Sequence, residues 1–219
     1  MTNKDLTQLL VIVDRSGSMA SSKNDMIGGL DEFFKSQTEV EGECVVDYVQ
    51  FDSEYEVVFT DRPVGYAKAV LEPRGATALL DAIGKGVTDL GAKLRLRKEA
   101  DKPGTVIVVV VTDGYENASR EWSSDTVKAL IKQQEDEWNW EFTFLGANID
   151  AVAVGQQFGF NVGNSMTYDT AYAGSTMTSL STNVTRTRKT GESIAYAAAE
   201  RAAAMGEEDS EEELTSKSS

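Results

Sequence analysis

Short apolar runs alternate with amphipathic stretches along most of the chain, the pattern of a sheet with helices packed on its faces. Leu9-Leu10-Val11-Ile12-Val13 lies inside a predicted first strand, Thr7 to Asp14. From Asn24 to Gln37, Met26, Ile27, Leu30, Phe33 and Phe34 recur on one helical face, and Val45 to Phe51 reads as a second strand. The polar link Asp52-Ser53-Glu54 is too short for a crossover helix, so the strand it enters, Tyr55 to Thr60, is expected antiparallel at a sheet edge. A helix over Ala78 to Leu90 carries Leu79, Leu80, Ile83, Val87 and Leu90, with Gly75 before it for backbone freedom and Thr77 as its expected N-cap. Thr105 to Thr112 contains Val106-Ile107-Val108-Val109-Val110-Val111, apolar throughout, as suits a central parallel strand covered on both faces. Ser124 is expected to cap a helix bearing Val127, Leu130, Ile131 and Trp138, and Glu141 to Gly146 forms the next strand. Asp150 to Phe158 then predicts a short helix stopped by Gly159, and Phe160 to Val162 a short last strand. This order predicts an α/β, Rossmann-like, doubly wound and mostly parallel sheet, with one antiparallel edge strand and helices on both faces.

After Tyr168 the character changes. Thr, Ser, Asn and Gly dominate through Thr190, followed by an Ala-rich helix from about Glu192 to Met205. Two placements stay open for this segment: a helix packed across the sheet edge, or an extension ordered only on a partner. Gly206 to Ser219 holds six acids against one lysine and one leucine, the composition of a disordered, solvated tail. The expected division is a folded domain over 1–168, a polar then Ala-rich helical extension over 169–205, and the acidic tail over 206–219.

A length of 219 residues, 41% of them hydrophobic, suits one well-buried domain. A net charge of −15 argues against nucleic acid and anionic membrane surfaces as partners, and favours cations and basic surfaces. The lone Cys44, beside Val45 and Val46, excludes an internal disulfide and is expected to be a buried core thiol. There is no histidine, which removes the commonest general base and the usual zinc and iron ligands. The longest apolar run, Val106 to Val111, is far below the roughly 18 to 20 residues of a membrane span, and the first residues lack a signal peptide's apolar segment. A soluble, cytoplasmic protein is expected.

The most specific chemistry is Asp14-Arg15-Ser16-Gly17-Ser18, directly after the first strand. One carboxylate and two hydroxyls at alternate positions of a Gly-containing loop outline a site for a hard divalent cation, which takes oxygen ligands. Thr77 at a helix start and Asp113 after the central strand fall at the same sheet edge, and open parallel sheets bind ligands beyond the carboxyl ends of their strands. Taken singly, each loop would pass for an ordinary cap or turn. Together they predict one shared site.

At these residues the chain resembles the von Willebrand factor type A domain, whose metal-ion-dependent adhesion site combines D-x-S-x-S with a distant Thr and a distant Asp. The resemblance covers roughly Thr7 to Val162. It implies metal ligation by Asp14, Ser16, Ser18, Thr77 and Asp113, with hydroxyls usually touching the metal, one or both carboxylates acting through water and Thr coordination depending on conformational state, and a Mg²⁺ cofactor, or Mn²⁺ or Ca²⁺. Leu9 to Met19, Gly75 to Ile83 and Thr112 to Ala118 look most like bacterial and bacteriophage versions. That implies host cytoplasm or a virion as the setting, and an ATPase or assembly partner by analogy. Met19-Ala20-Ser21-Ser22 lacks the acidic pair of the adjacent calcium site in some integrin subunits, so no second metal is expected there.

Two carboxylates leave a divalent cation electrophilic, so a partner's Asp or Glu would complete its shell, helped by the positive helix end at Thr77. The expected function is therefore a metal-dependent protein–protein interaction module. The alternative is a structural, virion or assembly subunit whose metal stiffens loops. A metal-dependent hydrolase ranks lower, because Ser16 stands where D-x-D phosphatases need a second acid, and the chain offers neither a histidine base nor a Walker loop. No enzymatic activity is expected. Glu116 and Asn117 read mainly as solvated loop residues, Arg15 as a structural ion pair, Trp122, Trp138 and Trp140 as packing, and Arg186, Arg188 and Lys189 as a solvated patch available to the acidic tail.

Overall fold

Alternation along the first strand divides the molecule into two cores. In the computed structural model, which describes residues 2–207, β1 (Asn3–Asp14) sends Leu9, Val11 and Val13 to one face and Leu10 and Ile12 to the other, all at most 1% exposed. It pairs in parallel with β2 (Glu43–Phe51) on one side and β4 (Pro103–Thr112) on the other. With β3 (Tyr55–Pro63), β5 (Glu141–Ala147) and β6 (Ser165–Tyr168), the six strands run in the order β3-β2-β1-β4-β5-β6, and β3 alone is antiparallel. The α/β, Rossmann-like architecture is thus as the sequence pattern predicts, and its topological switch lies between β1 and β4.

One face packs under α1 (Lys23–Gln37), α5 (Ala173–Thr190) and α6 (Ala198–Met205), the other under α2 (Leu79–Leu96), α3 (Ser124–Trp138) and α4 (Ala151–Phe158). The Thr- and Ser-rich stretch after Tyr168 is therefore helix. Its apolar positions Ala173, Met177, Leu180 and Val184 are buried at helical spacing, and the hydroxyls of Thr176, Thr178, Ser181, Thr182 and Thr187 each donate to the carbonyl four residues earlier. Polar side chains that usually compete with a helix are thereby satisfied within it. Gly29 permits the contact between α1 and α5, since a Cβ there would lie 2.6 Å from Met177 Cγ. Met177, Leu180, Val184, Tyr196 and Ala204 join the same core as β1.

Four local expectations are corrected. The last strand is Ser165–Tyr168 rather than Phe160 to Val162: Gly159 ends α4 at φ 101°, the Phe160 N–H donates to Gly155 O (2.9 Å), and the Phe160 ring packs on Phe142 and Phe144. The final helix begins at Ala198, not Glu192. Ser123 caps α3 in a reciprocal pair with Thr126, in place of Ser124. Arg186 and Arg188 do not form a free basic patch: Arg186 pairs with Glu200 (3.1 Å) and Arg188 donates to Gln37 O (2.7 Å) and Gly42 O (3.2 Å).

Cys44 is buried, and burial pushes its thiol up to about 11 despite the nearby Arg188 guanidinium. Trp140 is buried against Phe142, Trp122 lies over Gly84, and Trp138 is exposed. Among the described residues, no helix is long and apolar enough to cross a membrane. The acidic tail, apart from Gly206 and Glu207, lies outside the described residues.

Candidate metal site

The carboxyl ends of β1 and β4 are neighbours, with Val13 opposite Val111, so Asp14 and Asp113 emerge side by side at the switch point. The loop after β1 is bound to two others by its backbone. The Arg15 N–H donates to Phe51 O (2.7 Å), the Arg74 N–H to Arg15 O (2.7 Å), and the Gly17 N–H to Gly75 O (3.3 Å). Arg15 is buried, pairing with Asp52 (3.1 Å) and Glu56, and Asp52 also takes Arg74 (2.8 Å). That is the structural ion pair expected of Arg15, and it faces away from the ligand set. Gly75 turns the second loop at φ 70°, and a Cβ there would press on Asp52 at 3.2 Å.

Four of the five predicted ligands are linked by hydrogen bonds. Asp14 is fully buried; its Oδ1 accepts from the Ser16 N–H (2.6 Å) and its Oδ2 from Thr112 Oγ1 (2.6 Å). Ser16 Oγ and Ser18 Oγ lie 3.0 Å apart, and Ser18 Oγ donates to Asp113 Oδ1 (2.5 Å). Thr77, also buried, completes the set from the side: a Cβ built on Gly114 would sit 3.2 Å from Thr77 Oγ1 and 3.9 Å from both Asp14 Oδ2 and Ser18 Oγ. Oxygens of the first and second loops therefore border the gap that the missing side chain of Gly114 leaves in the third. Thr112, whose hydroxyl orients Asp14, escaped the sequence reading because it looks like one more strand residue.

Burial pushes the Asp14 carboxyl up to about 6, against the lowering effect of the Thr112 and Ser16 hydrogen bonds, and neighbouring Asp113 adds to the rise. Asp113 is raised too, by burial first, with the Ser18 hydroxyl opposing. Two carboxylates held close with little water are short of positive charge, which a cation would supply. Among the described residues no three His, Cys, Asp or Glu side chains gather in one place, so a metal here would rest on two carboxylates and three hydroxyls. An all-oxygen set fits a hard cation such as Mg²⁺, Mn²⁺ or Ca²⁺.

Thr77 is not the side-chain cap of α2 that the sequence suggests; the helix has no such cap from its own preceding residue. Glu116 takes that place, its Oε2 accepting from the Leu80 N–H (2.9 Å), while Asn117 Oδ1 accepts from the Thr77 N–H (2.9 Å). Both are structural acceptors rather than solvated loop residues. The positive end of α2 is consequently already engaged, which corrects the expectation that it waits for a partner's carboxylate.

No protein-family model matches the chain, and no match was found among curated proteins. Solved structures do match. The von Willebrand factor A protein VWA2, an ArnB paralog from Sulfolobus acidocaldarius, is 15% identical over 89% of this chain and 46% of its own, with a TM-score of 0.53. Proximal thread matrix protein 1 of the mussel byssus, solved with a zinc-occupied metal-ion-dependent adhesion site, is 14% identical over 84% of this chain and 47% of its own, with a TM-score of 0.58. The pilus adhesin SpaC of Lactobacillus rhamnosus GG is 13% identical over 85% and 30%, with a TM-score of 0.62. The chain spans under half the length of each, and at these identities the likeness is one of architecture: its fold is that of the von Willebrand factor type A domain.

Proposed function

We propose that the chain is a divalent-cation-dependent protein-binding module whose cation is held by Asp14, Ser16, Ser18, Thr77 and Asp113 and is completed by an Asp or Glu of the partner. The observation that carries this reading is the gap at Gly114 in the Asp113 loop, bordered by Thr77 Oγ1, Asp14 Oδ2 and Ser18 Oγ of the other two loops, with Ser18 in turn bonded to Asp113. A cation bound there supplies an electrophilic position for one further anionic oxygen. Asp14 and Asp113 neutralise it without overwhelming it, Thr112 and the Ser16 N–H hold Asp14 in orientation, and exposed Ser18 and Tyr115 form the approachable rim. Local charge governs the contact, since the chain's distant negative charges are screened beyond roughly 8–10 Å at physiological salt.

Mg²⁺ is the proposed resident ion. The mussel protein's zinc shows a divalent metal in a site of this type, yet the oxygen-only donors here favour a harder ion. The pilus adhesin among the structural matches is consistent with a binding role, and an assembly or ATPase partner in the cytoplasm is the setting we favour by analogy with bacterial domains of this kind. A purely loop-stiffening metal is less well supported, because Ser18–Asp113, Gly17–Gly75 and Asn117–Thr77 already tie the loops without it. Catalysis is not part of the proposal: no histidine is present, and the acids at the site have structural or ligand roles. Affinity capture from the source cells, in Mg²⁺ and in chelator, tests the reading. A partner retained only in Mg²⁺ and lost with Asp14→Ala is expected; the same proteins retained in all three conditions would refute it.

A further inference from the structure

The loop after Asp113 does more than reach α2; it grips the segment that carries Thr77. The Asn117 N–H donates to Thr77 O (3.0 Å) while Asn117 Oδ1 accepts from the Thr77 N–H (2.9 Å), so both backbone polar groups of Thr77 are fixed by one residue. Glu116 spans from its own loop to the helix: Oε1 accepts from the Ala118 N–H (2.9 Å) and Ser119 N–H (2.7 Å), and Oε2 from Ser119 Oγ (2.7 Å) and the Leu80 N–H (2.9 Å). Asp81 closes the far end, accepting from the N–H groups of Arg120 (2.8 Å), Glu121 (2.9 Å) and Trp122 (2.8 Å). The Glu116 carboxylate is thus met by one amide at the helix start, Leu80, and by two amides and a hydroxyl of its own loop.

We infer that Glu116 and Asn117 are positioning residues for the cation site, setting the spacing between the Asp113 loop and Thr77 without touching the ion; the inference rests on the cation reading above. Glu116 has a second effect. A cation beside Thr77 faces the positive end of α2, and the Glu116 carboxylate on the Leu80 amide offsets that repulsion. Glu116→Gln keeps the side chain's shape and removes the charge, whereas Asn117→Ala keeps the charge and releases Thr77.

The test is Mn²⁺ binding to the full chain by calorimetry, alongside melting with and without Mn²⁺, for Glu116→Gln, Asn117→Ala, Asp14→Ala and Glu121→Gln, an exposed acid on the same loop. Both positioning variants are expected to weaken Mn²⁺ about tenfold or more, the scale of groups that orient metal ligands. The Mn²⁺-induced rise in melting temperature should shrink in parallel, and Glu121→Gln should match wild type. Wild-type affinity in both variants, or weakening no greater than in Glu121→Gln, overturns the inference. So does failure of both to fold without metal, which marks a purely structural role. Asp14→Ala separates the two readings: if it alone loses Mn²⁺ the site stands and the positioning role falls, and if it binds like wild type the site itself falls.

Discussion

Gly84 sits inside α2, where alanine would ordinarily be favoured by about 1 kcal/mol. Here Gly84→Ala is expected to destabilise. Its Cβ would lie 2.0 Å from Trp122 Cδ2, 2.4 Å from Cε2 and 2.5 Å from Cγ, inside the ring rather than against a flexible tip. Retreat of the ring is opposed because the Trp122 backbone N–H is held on Asp81 Oδ1 (2.8 Å) and its side chain packs on the α2–α3 core. Overpacking of this kind costs roughly 1–3 kcal/mol. After the helix gain, a net loss of up to about 2 kcal/mol remains, which lowers the melting point of a domain this size by up to about 8 °C. Urea unfolding followed by circular dichroism measures it, and the Trp122→Ala background supplies the decisive comparison. With the indole gone, the same Gly84→Ala change should turn stabilising by up to about 1 kcal/mol. A stabilising effect in the wild-type background, or an equal effect in both, would refute the stacking account.

Gly114 has no left-handed backbone requirement, so Gly114→Ala should fold, yet its methyl group fills the gap 3.2 Å from Thr77 Oγ1; Mn²⁺ uptake by calorimetry should fall at least tenfold, and undiminished uptake would place the cation elsewhere. Leu180→Ala empties a fully buried position on α5 and should cost about 2–5 kcal/mol in urea unfolding; a loss under about 0.5 kcal/mol would mean α5 is not part of the cooperative unit. Asp61 meets a burial penalty, but hydrogen bonds and charge from Lys93 and Arg97 outweigh it and hold the carboxyl below its usual range. Its stabilising contribution is thus present above the unfolded-state value near 4 and is lost as pH falls through the lower folded value. Asp61 is 45% exposed, so Asp61→Asn should flatten that acid limb by less than about 1 kcal/mol, and an unchanged slope would dismiss the contribution of its pairs with Lys93 and Arg97.

The strands were legible because their burial is legible: Val106 to Val111 is apolar at every position since both faces of β4 are covered, and Asp52-Ser53-Glu54 leaves room only for an antiparallel return. The misread strand at Phe160 shows the limit of short apolar runs. Phe160 and Val162, either side of Asn161 after a glycine, can equally well supply the hydrophobic contact of a helix end, and the bond from the Phe160 N–H to Gly155 O distinguishes the two. α5 was obscured differently. Ala173, Met177, Leu180 and Val184 keep the helical period, but hydroxyl residues between them lower local propensity, and their bonds back to carbonyls four residues earlier become visible only once the helix exists.

The proposed ligand set and its support differ in legibility for a physical reason. Asp14, Ser16 and Ser18 announce themselves because a cation needs several oxygens within a few ångströms, and a loop with alternate polar positions is a compact way to provide them. The groups that aim those oxygens obey no spacing rule: Thr112 meets Asp14 across 98 positions, Asn117 reaches Thr77 across 40, and Glu116 reaches Leu80 across 36. Their effect also reverses one inference from the sequence. A helix start at Thr77 suggests a free positive end that draws in a partner's carboxylate, but the Glu116 carboxylate already occupies it. An incoming acid would therefore be attracted by the cation alone, and capture should depend on the metal more steeply than a site with an open helix end would allow.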